Sequence, residues 1–247
     1  MAEYPLGIVT GGAHRLGRAF ALTLAYEGYA VLVHYHRASQ QAAKTIAEIK
    51  SFGVPAFSMQ ADLTQDEHVK ALFTLVDSLL SRSETHLSHL AALVNSAAVM
   101  PRGNAQTLSL EAWDTALDLN LRAPFLCAQQ ASTRMERGGL IVNVSDIGAE
   151  KAWSRFPSYT VSKSALESLT RVLARSFAPS VRVNAIAPGL VLPSENVSDE
   201  EWEKLVQRLP LKRTATTEEI ASALEFLLKN EYVTGQTIVV DGGYSLL

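Results

Sequence analysis

The sequence predicts an α/β fold in which a doubly wound sheet of seven parallel strands carries helices on both faces. Two observations lead to this fold class. Short, wholly apolar segments alternate along the chain with longer segments of helical periodicity. Strands that are apolar along their whole length are typical of parallel sheets, because both faces of such sheets are covered. Since no repeat or linker interrupts the chain, residues 1–247 are predicted to form a single domain.

The first five elements follow this alternation. Residues 6–10 (Leu-Gly-Ile-Val-Thr) are predicted to form a buried strand, and the glycine-rich turn after them opens a helix over 15–27. Residues 30–35 (Ala-Val-Leu-Val-His-Tyr) are predicted to form the second strand, followed by a helix over 39–51. Residues 56–60 (Ala-Phe-Ser-Met-Gln) are less apolar and predict a weaker third strand.

The middle of the chain continues the pattern. Helical periodicity predicts a helix over 67–80, and Ala-Ala-Leu-Val-Asn at 91–95 predicts the fourth strand. A long periodic segment predicts one helix over 110–136. Gly-Leu-Ile-Val-Asn-Val at 139–144 predicts the fifth strand.

The last third of the chain holds one interruption. Pro157 opens a helix over 157–177, and a strand is predicted at 181–186. The polar segment at 192–212 breaks the rhythm and is interpreted as a substrate lid. A helix over 217–228 and a strand at 237–240 complete the fold.

Composition excludes several classes of function. Hydrophobic residues make up 47% of the chain and the net charge is −3, without a long run of one sign, so neither nucleic acid nor a membrane is an expected partner. The single cysteine, Cys127, excludes an internal disulfide. Without a basic leader or an apolar stretch of membrane-spanning length, the chain is expected to be soluble and cytoplasmic.

A glycine-rich turn joins the first strand to the first helix. It has the sequence Thr-Gly-Gly-Ala-His-Arg-Leu-Gly over residues 10–17. Such a turn lets a pyrophosphate approach the backbone, and the helix start offers free N–H groups, as in Rossmann folds. Gly11, Arg15 and Leu16 are therefore predicted to bind a dinucleotide, with a turn of purely structural purpose as the alternative.

The end of the second strand indicates which dinucleotide is bound. Folds that prefer NAD place an acidic residue near this point, whereas this chain has His36 and Arg37. These side chains, with Arg15 nearby, would favour a ribose 2′-phosphate, so the predicted cofactor is NADP(H). A solvated basic strand end is the alternative. Asp62 is predicted to face the adenine, or else to cap the next turn.

Tyr159 and Lys163 lie one helical turn apart and therefore share a helix face. An ammonium beside a phenol favours the phenolate, so Lys163 is predicted to lower the pKa of Tyr159 toward neutrality. A tyrosine of this kind can protonate a carbonyl or an imine while a hydride arrives. Taken alone, a tyrosine and a lysine at this spacing are common and usually form an ordinary pair on a helix surface.

Motifs along the whole chain resemble the short-chain dehydrogenase/reductase family. They are the turn at 10–17, Asn95-Ser96-Ala97, Asn120, Tyr159 with Lys163, Pro188-Gly189 and the segment 239–243. The resemblance implies that Asn120 holds a water that relays protons through Lys163, and that Lys163 grips the nicotinamide ribose. It also implies that Asn95 and Ala97 line the cofactor, that Pro188 and Gly189 lie by the nicotinamide, and that the assembly is a homotetramer.

Two positions depart from the usual family pattern, and both resemble its pteridine reductase branch. Arg15 stands where the family has a glycine, and Asp146 stands where it has a catalytic serine, thirteen residues before Tyr159. The branch implies hydride transfer to a C=N bond of a pterin, with Asp146 helping Tyr159 to protonate a ring nitrogen. Alternatively, Asp146 caps the following segment or pairs with Lys151.

The substrate itself is less firmly indicated. Met100 stands where pteridine reductases have an aromatic residue, so Met100, Trp153 and Trp202 are the predicted substrate-binding residues. A reductase of 3-oxoacyl thioesters or similar carbonyl compounds is the first alternative. A non-catalytic NADP(H)-binding sensor module is the second. The six histidines form no convincing metal site, and none is expected, because the nicotinamide carries the chemistry.

Overall fold

Seven strands form one parallel sheet at the centre of this computed structural model, which describes residues 3–193 and 197–247. The strands are β1 (Tyr4–Thr10), β2 (Ala30–Tyr35), β3 (Ala56–Gln60), β4 (Leu87–Asn95), β5 (Met135–Val144), β6 (Val181–Pro188) and β7 (Thr237–Val240). They lie in the order β3-β2-β1-β4-β5-β6-β7, and every neighbouring pair is parallel. The predicted doubly wound α/β fold is therefore confirmed.

Helices cover both faces of the sheet. They are α1 (Arg15–Tyr26), α2 (Ser39–Ser51), α3 (Asp66–Leu80), α4 (Leu110–Leu117), α5 (Ala123–Ser132), α6 (Pro157–Phe177), α7 (Asp199–Arg208) and α8 (Thr217–Lys229). Helices α3, α5 and α6 contribute to one buried cluster, which also contains Leu6 and Ile8 of β1. Helices α1, α2 and α8 contribute to a second cluster with Val9 of β1. Because successive side chains of a strand point to opposite faces, an unbroken apolar strand supplies both cores.

The predicted helix over 110–136 is wrong in its continuity and at its end. A π-helical turn at Asp118–Arg122 separates α4 from α5, and α5 ends at Ser132. Met135 already pairs with Leu90 of β4 and is buried in the core. The nearest glycines, Gly138 and Gly139, lie inside β5 and do not mark the end of the helix.

The predicted lid at 192–212 contains helix α7. Residues 194–196 of that prediction lie outside the described residues. Ser198 accepts the N–H of Glu201 and begins α7 with a capping box, although no side chain of this helix is buried. Arg155 forms an ion pair with Glu201 at 3.5 Å, so the start of α7 contacts the loop between β5 and α6.

Candidate active site

The candidate site lies beyond the carboxyl ends of the strands, where the chain order reverses between β1 and β4. Doubly wound sheets bind ligands at this reversal. Thr10 joins the two strand ends, because its Oγ1 accepts the N–H groups of Ser96 (3.0 Å) and Ala97 (3.1 Å). A cavity of about 980 Å³ opens over these ends, which is large enough for a dinucleotide together with a small substrate.

Most residues singled out from the sequence line this one cavity. They are Gly11, Arg15, Leu16, His36, Arg37, Asp62, Ala97, Met100, Asp146, Tyr159, Lys163, Pro188 and Gly189. Four others, Asn95, Asn120, Trp153 and Trp202, do not line it. The fold thus gathers residues from the ends of six strands, β1 to β6, and from helices α1 and α6.

The glycine turn packs too tightly for side chains. Gly11 has a φ of +64°, and a Cβ there would lie 2.9 Å from Ala97 Cα. A Cβ on Gly17 would overlap the carbonyl oxygen of Gly11. The bare backbone beside the cavity fits a phosphate that approaches the start of α1.

Arg15 contacts the segment that follows β6, where the predicted lid begins. Its backbone has a φ of 51°, and its guanidinium donates to the carbonyls of Leu192 at 3.0 Å and Pro193 at 3.1 Å. This residue lines the cavity beside the turn, as expected, but the carbonyls of Leu192 and Pro193 were not predicted as its partners. Arg15 therefore links the turn after β1 to the segment after β6.

The end of β2 presents exposed basic groups to the cavity. His36 and Arg37 are both exposed there, and Asp62 lies across from them after β3. Asp62 Oδ1 accepts the backbone N–H and the hydroxyl of Thr64. The capping alternative for Asp62 therefore holds, although the residue also lines the cavity.

Asp146 and Tyr159 contact each other directly. The Tyr159 hydroxyl donates to Asp146 Oδ2 at 2.8 Å, and Asp146 Oδ1 accepts the N–H of Gly148 at 2.7 Å. The carboxylate thus both caps the 3₁₀ turn after β5 and orients the phenol. Lys151, the other suggested partner of Asp146, donates instead to backbone oxygens of Ser245 and Leu247.

Lys163 lies behind the phenol. Its Nζ donates to the Val144 carbonyl at 2.6 Å and lies 5.7 Å from the centre of the Tyr159 ring. Burial lowers the pKa of Lys163 to about 8, while the carboxylates of Asp146 and Glu167 act in the opposite direction. An ammonium near its titration point therefore stands beside the carboxylate and the phenol.

The pKa of Tyr159 is raised well above its ordinary value of 10.0, so the predicted decrease is wrong. Burial is the largest cause, and the Asp146 carboxylate adds to it because a negative neighbour disfavours a phenolate. Burial also raises the pKa of Asp146, against the Gly148 N–H, the Tyr159 hydroxyl and Lys163, which lower it. The site consequently holds its proton on the phenol.

Two predicted asparagines lie outside the cavity wall. The Asn120 side chain, in the π-helical turn, bonds both backbone groups of Val99 and donates to Ser162 Oγ at 3.0 Å. Asn95 is buried and donates to Asn143 Oδ1 at 2.9 Å. Their side chains hold the ends of β4 and α4 in place, and none of these bonds reaches Lys163.

The predicted substrate-binding residues separate. Met100 lines the cavity, whereas Trp153 packs beside Gly148, Phe156 and Tyr244. Trp202 lies half-buried on α7. The expectation that a tryptophan covers the substrate therefore has no support from the cavity wall, because Trp153 fills the space behind the Asp146 turn instead.

Three contacts in and around the site were not predicted. His34 bonds the glycine turn, Ser145 Oγ donates to Glu167 Oε1 at 2.8 Å, and Thr10 joins β1 to β4. A signal existed for His34, because a polar side chain inside an apolar strand must find partners.

Among the described residues, no group of three or more potential ligands could hold a metal ion. Within the same part of the chain, no helix is long and apolar enough to cross a membrane.

Comparison with known proteins identifies the family. The profile of the family described as enoyl-(acyl carrier protein) reductase matches residues 11–245. The 3-oxoacyl-(acyl-carrier-protein) reductase FabG of Staphylococcus aureus is 34% identical over 243 residues, which cover 96% of each chain.

Solved structures give the same answer. FolM alternative dihydrofolate reductase 1 from Brucella suis, in complex with NADP, has a TM-score of 0.90 at 34% identity, covering 99% of this chain and 96% of its own. The short-chain dehydrogenase/reductase from Serratia marcescens has a TM-score of 0.90 at 29% identity, covering 98% of both chains. With a matching profile over nearly its full length and relatives of this identity, the chain belongs to the short-chain dehydrogenase/reductase family.

Proposed function

We propose that the protein is an NADP(H)-dependent reductase that reduces a C=N bond of a pterin-like ring. The observation that carries this proposal is the 2.8 Å hydrogen bond from the Tyr159 hydroxyl to Asp146 Oδ2. A serine at this position supplies a hydroxyl dipole that suits a carbonyl oxygen. A carboxyl group can also hold a proton, which suits the protonation of a ring nitrogen.

The cavity fits the proposed cofactor. Close packing at Gly11 and Gly17 leaves backbone next to the cavity, as a pyrophosphate requires. Exposed His36 and Arg37 at the end of β2 suit a 2′-phosphate, since no acidic residue stands there to prefer a free ribose hydroxyl. When bound, NADPH supplies the hydride. The Brucella suis relative with a TM-score of 0.90 was crystallised with NADP.

The residues of the site provide the proton. Tyr159 keeps its proton until a substrate nitrogen accepts it, because its pKa is raised. The phenolate that remains is stabilised by the nearby Lys163 ammonium. Asp146, whose pKa is also raised, returns a proton to Tyr159 through their shared hydrogen bond when the carboxyl is protonated. Tyr159 thus supplies the proton, a protonated Asp146 replaces it, and Lys163 stabilises the phenolate in between.

A second candidate is reduction of a carbonyl group in a 3-oxoacyl thioester. Two observations favour it. The Staphylococcus aureus relative with 34% identity is named for this reaction. The cavity wall carries the flexible thioether of Met100, where a flat aromatic clamp would suit a pterin better.

The test compares substrates and variants in one assay of NADPH oxidation. We expect the wild-type protein to turn over dihydrobiopterin faster than acetoacetyl thioester. We expect Asp146→Ala to reduce pterin turnover by about 10²-fold or more and to leave NADPH affinity unchanged. Ser145→Ala is the control, because Ser145 is adjacent but bonds Glu167.

The outcomes separate the candidates. Faster turnover of the thioester, or full pterin activity in Asp146→Ala, contradicts the pterin proposal and favours the carbonyl reductase. Tight NADPH binding without turnover of either substrate favours the non-catalytic sensor.

A further inference from the structure

His34 is a buried histidine that bonds the glycine turn with both its side chain and its backbone. It lies on β2 with 2% of its surface exposed. Its Nδ1 accepts the N–H of Gly11 at 3.1 Å, and its carbonyl accepts the N–H of Gly12 at 2.9 Å. Its Nε2 lies 3.0 Å from the carbonyl oxygen of Ala61, just beyond β3. One residue of the cavity wall therefore connects the ends of β1, β2 and β3.

These partners specify a single form of the imidazole ring. A carbonyl oxygen only accepts, so Nε2 must carry the hydrogen that points to Ala61. The Gly11 N–H only donates, so Nδ1 must carry none. The ring is therefore neutral and protonated at Nε2, and burial, which lowers the pKa of His34 to about 4, keeps it neutral.

The bonds to His34 determine which amides remain for a ligand. The N–H groups of Gly11 and Gly12 both point toward β2 and away from the cavity. The first amides of a helix have no acceptor within the helix, so the start of α1 is left to receive phosphate. Ala61 is followed by Asp62, which lines the cavity on the side of β3. His34 thus joins the glycine turn to the end of β3 that precedes Asp62.

We infer that His34 is a positioning residue for the dinucleotide: its bare Nδ1 holds Gly11 in the left-handed conformation that places the start of α1 against the phosphates. The inference rests on the proposed NADP(H) binding. His34 lines the cavity where it bonds Gly11 and Ala61, and it has no bond to Asp146 or Tyr159, so its loss should affect cofactor binding and not proton transfer. A side chain that merely filled this space would need the volume of the imidazole and not its acceptor.

Two substitutions separate the two ring nitrogens. The side-chain oxygen of asparagine lies near the position of Nδ1, so His34→Asn keeps the acceptor for Gly11 and loses the donor to Ala61. The longer side chain of His34→Gln reaches toward Ala61 and leaves Gly11 without its acceptor. Affinity for NADPH is measured by quenching of tryptophan fluorescence, and KM for NADPH and kcat are measured alongside.

We expect His34→Asn to bind NADPH within about twofold of wild type and His34→Gln to bind about tenfold more weakly or worse, since an unpaired buried N–H is costly. KM for NADPH should rise in the glutamine variant while kcat is retained. Equal affinities of the two variants, or tighter binding by His34→Gln, would overturn the inference.

A measurement on the wild-type protein keeps the test valid if a variant does not fold. Nitrogen NMR of the histidine-labelled chain should show His34 with bare Nδ1 and protonated Nε2, and a proton on Nδ1 would overturn the inference. If wild-type protein fails to bind NADPH, the proposed function is contradicted, whereas the ring spectrum still reports on the bond to Gly11.

Discussion

A single carboxylate at position 146 adds a negative charge to the group of side chains that is proposed to be catalytic. Asp146 is bonded by the Tyr159 phenol and lies near the buried Lys163 ammonium, so its pKa depends on both, and it in turn raises the pKa of each. The direction of these shifts could not be predicted from spacing alone. The one-turn separation of Tyr159 and Lys163 places them on one helix face, but burial, the dominant cause for Tyr159, is a property of the fold.

This coupling predicts the basic limb of the pH profile. Lys163 has a pKa of about 8 instead of 10.5, so kcat/KM should fall as pH rises through about 8, when the ammonium that stabilises the phenolate is lost. Asp146 raises the pKa of Lys163, so Asp146→Asn should move this limb to lower pH. The measurement is kcat/KM against pH for both proteins. A limb that stays in place, or moves to higher pH, contradicts the assigned coupling.

His34 predicts a pH dependence of stability. Its pKa in the folded protein is about 4, against an ordinary value of 6.5, mainly because of burial; His36 lowers it and Asp62 raises it. Between these two values the unfolded chain binds the proton and the folded chain does not, so stability falls as pH is lowered through this window. Above pH 6.5 the ring is neutral in both the folded and the unfolded chain, so this residue no longer makes stability depend on pH.

The free energy of unfolding should therefore fall by about 2 kcal/mol between pH 7 and pH 5 on account of this residue. Denaturant unfolding at the two pH values measures the change. His34→Asn should remove this part of the decrease, whereas the control His89→Asn, at a part-exposed histidine beside Ser88, should retain it. If the free energy of unfolding decreases equally between pH 7 and pH 5 in wild type and in His34→Asn, the ring is not protected from protonation.

At the scale of elements, periodicity located the strands and most helices, but it could not show where one helix changes its geometry. Residues 110–136 keep a helical pattern, yet the π-helical turn at Asp118–Arg122 adds a residue to one turn and directs Asn120 toward Val99. Met135 is apolar and suits a helix and a strand equally. Its pairing with Leu90 places Met135 in strand β5 and not in a helix, and that contact joins residues 45 positions apart in the sequence.

Contacts between residues far apart in the sequence could likewise not be predicted. Arg15 was expected beside the cofactor, but its partners Leu192 and Pro193 lie 177 and 178 residues away. Local motifs predict which residues reach the ends of the strands. They do not predict which loops meet there.

Helices α7 and α8 begin with the same capping box but differ in burial. Ser198 and Thr216 each accept the N–H of the glutamate three residues on, at 3.2 Å in both cases. Helix α7 buries no side chain, whereas α8 buries several, including Leu224. Loss of the cap of α7 should therefore unfold that helix locally. Loss of the cap of α8 should destabilise the whole protein.

We expect Ser198→Ala to raise the substrate KM and to leave the free energy of unfolding nearly unchanged. Thr216→Ala, the matched control, should lower the free energy of unfolding by about 1 kcal/mol and leave KM unchanged. Steady-state kinetics and denaturant unfolding measure the two effects. If Ser198→Ala leaves KM at the wild-type value, α7 does not act as a lid over the substrate.

At the scale of the whole molecule, the strand order determines where the site lies. The chain runs outward to β3 and then returns to β4, which leaves a cleft between the ends of β1 and β4. This strand order can in principle be predicted from the sequence, because right-handed connections between parallel strands permit few strand orders. The volume of the cleft and its walls depend on loops that the rules of topology do not fix.

The outer surface leads to the last prediction, a homotetramer. Helix α6 exposes two apolar side chains, Val161 at 45% and Val172 at 58%, and β7 is an edge strand on which Val239 is 47% exposed. Apolar helix faces and open sheet edges favour self-association, and symmetric closure around two such surfaces gives four chains.

Size-exclusion chromatography with light scattering should therefore report a mass of four chains. Val172→Glu should produce smaller assemblies, because it buries a charge at the α6 contact. Tyr26→Glu, on α1 and 71% exposed, should leave the tetramer intact. A monomeric wild type, or a tetramer that tolerates Val172→Glu, would exclude α6 as the contact between chains.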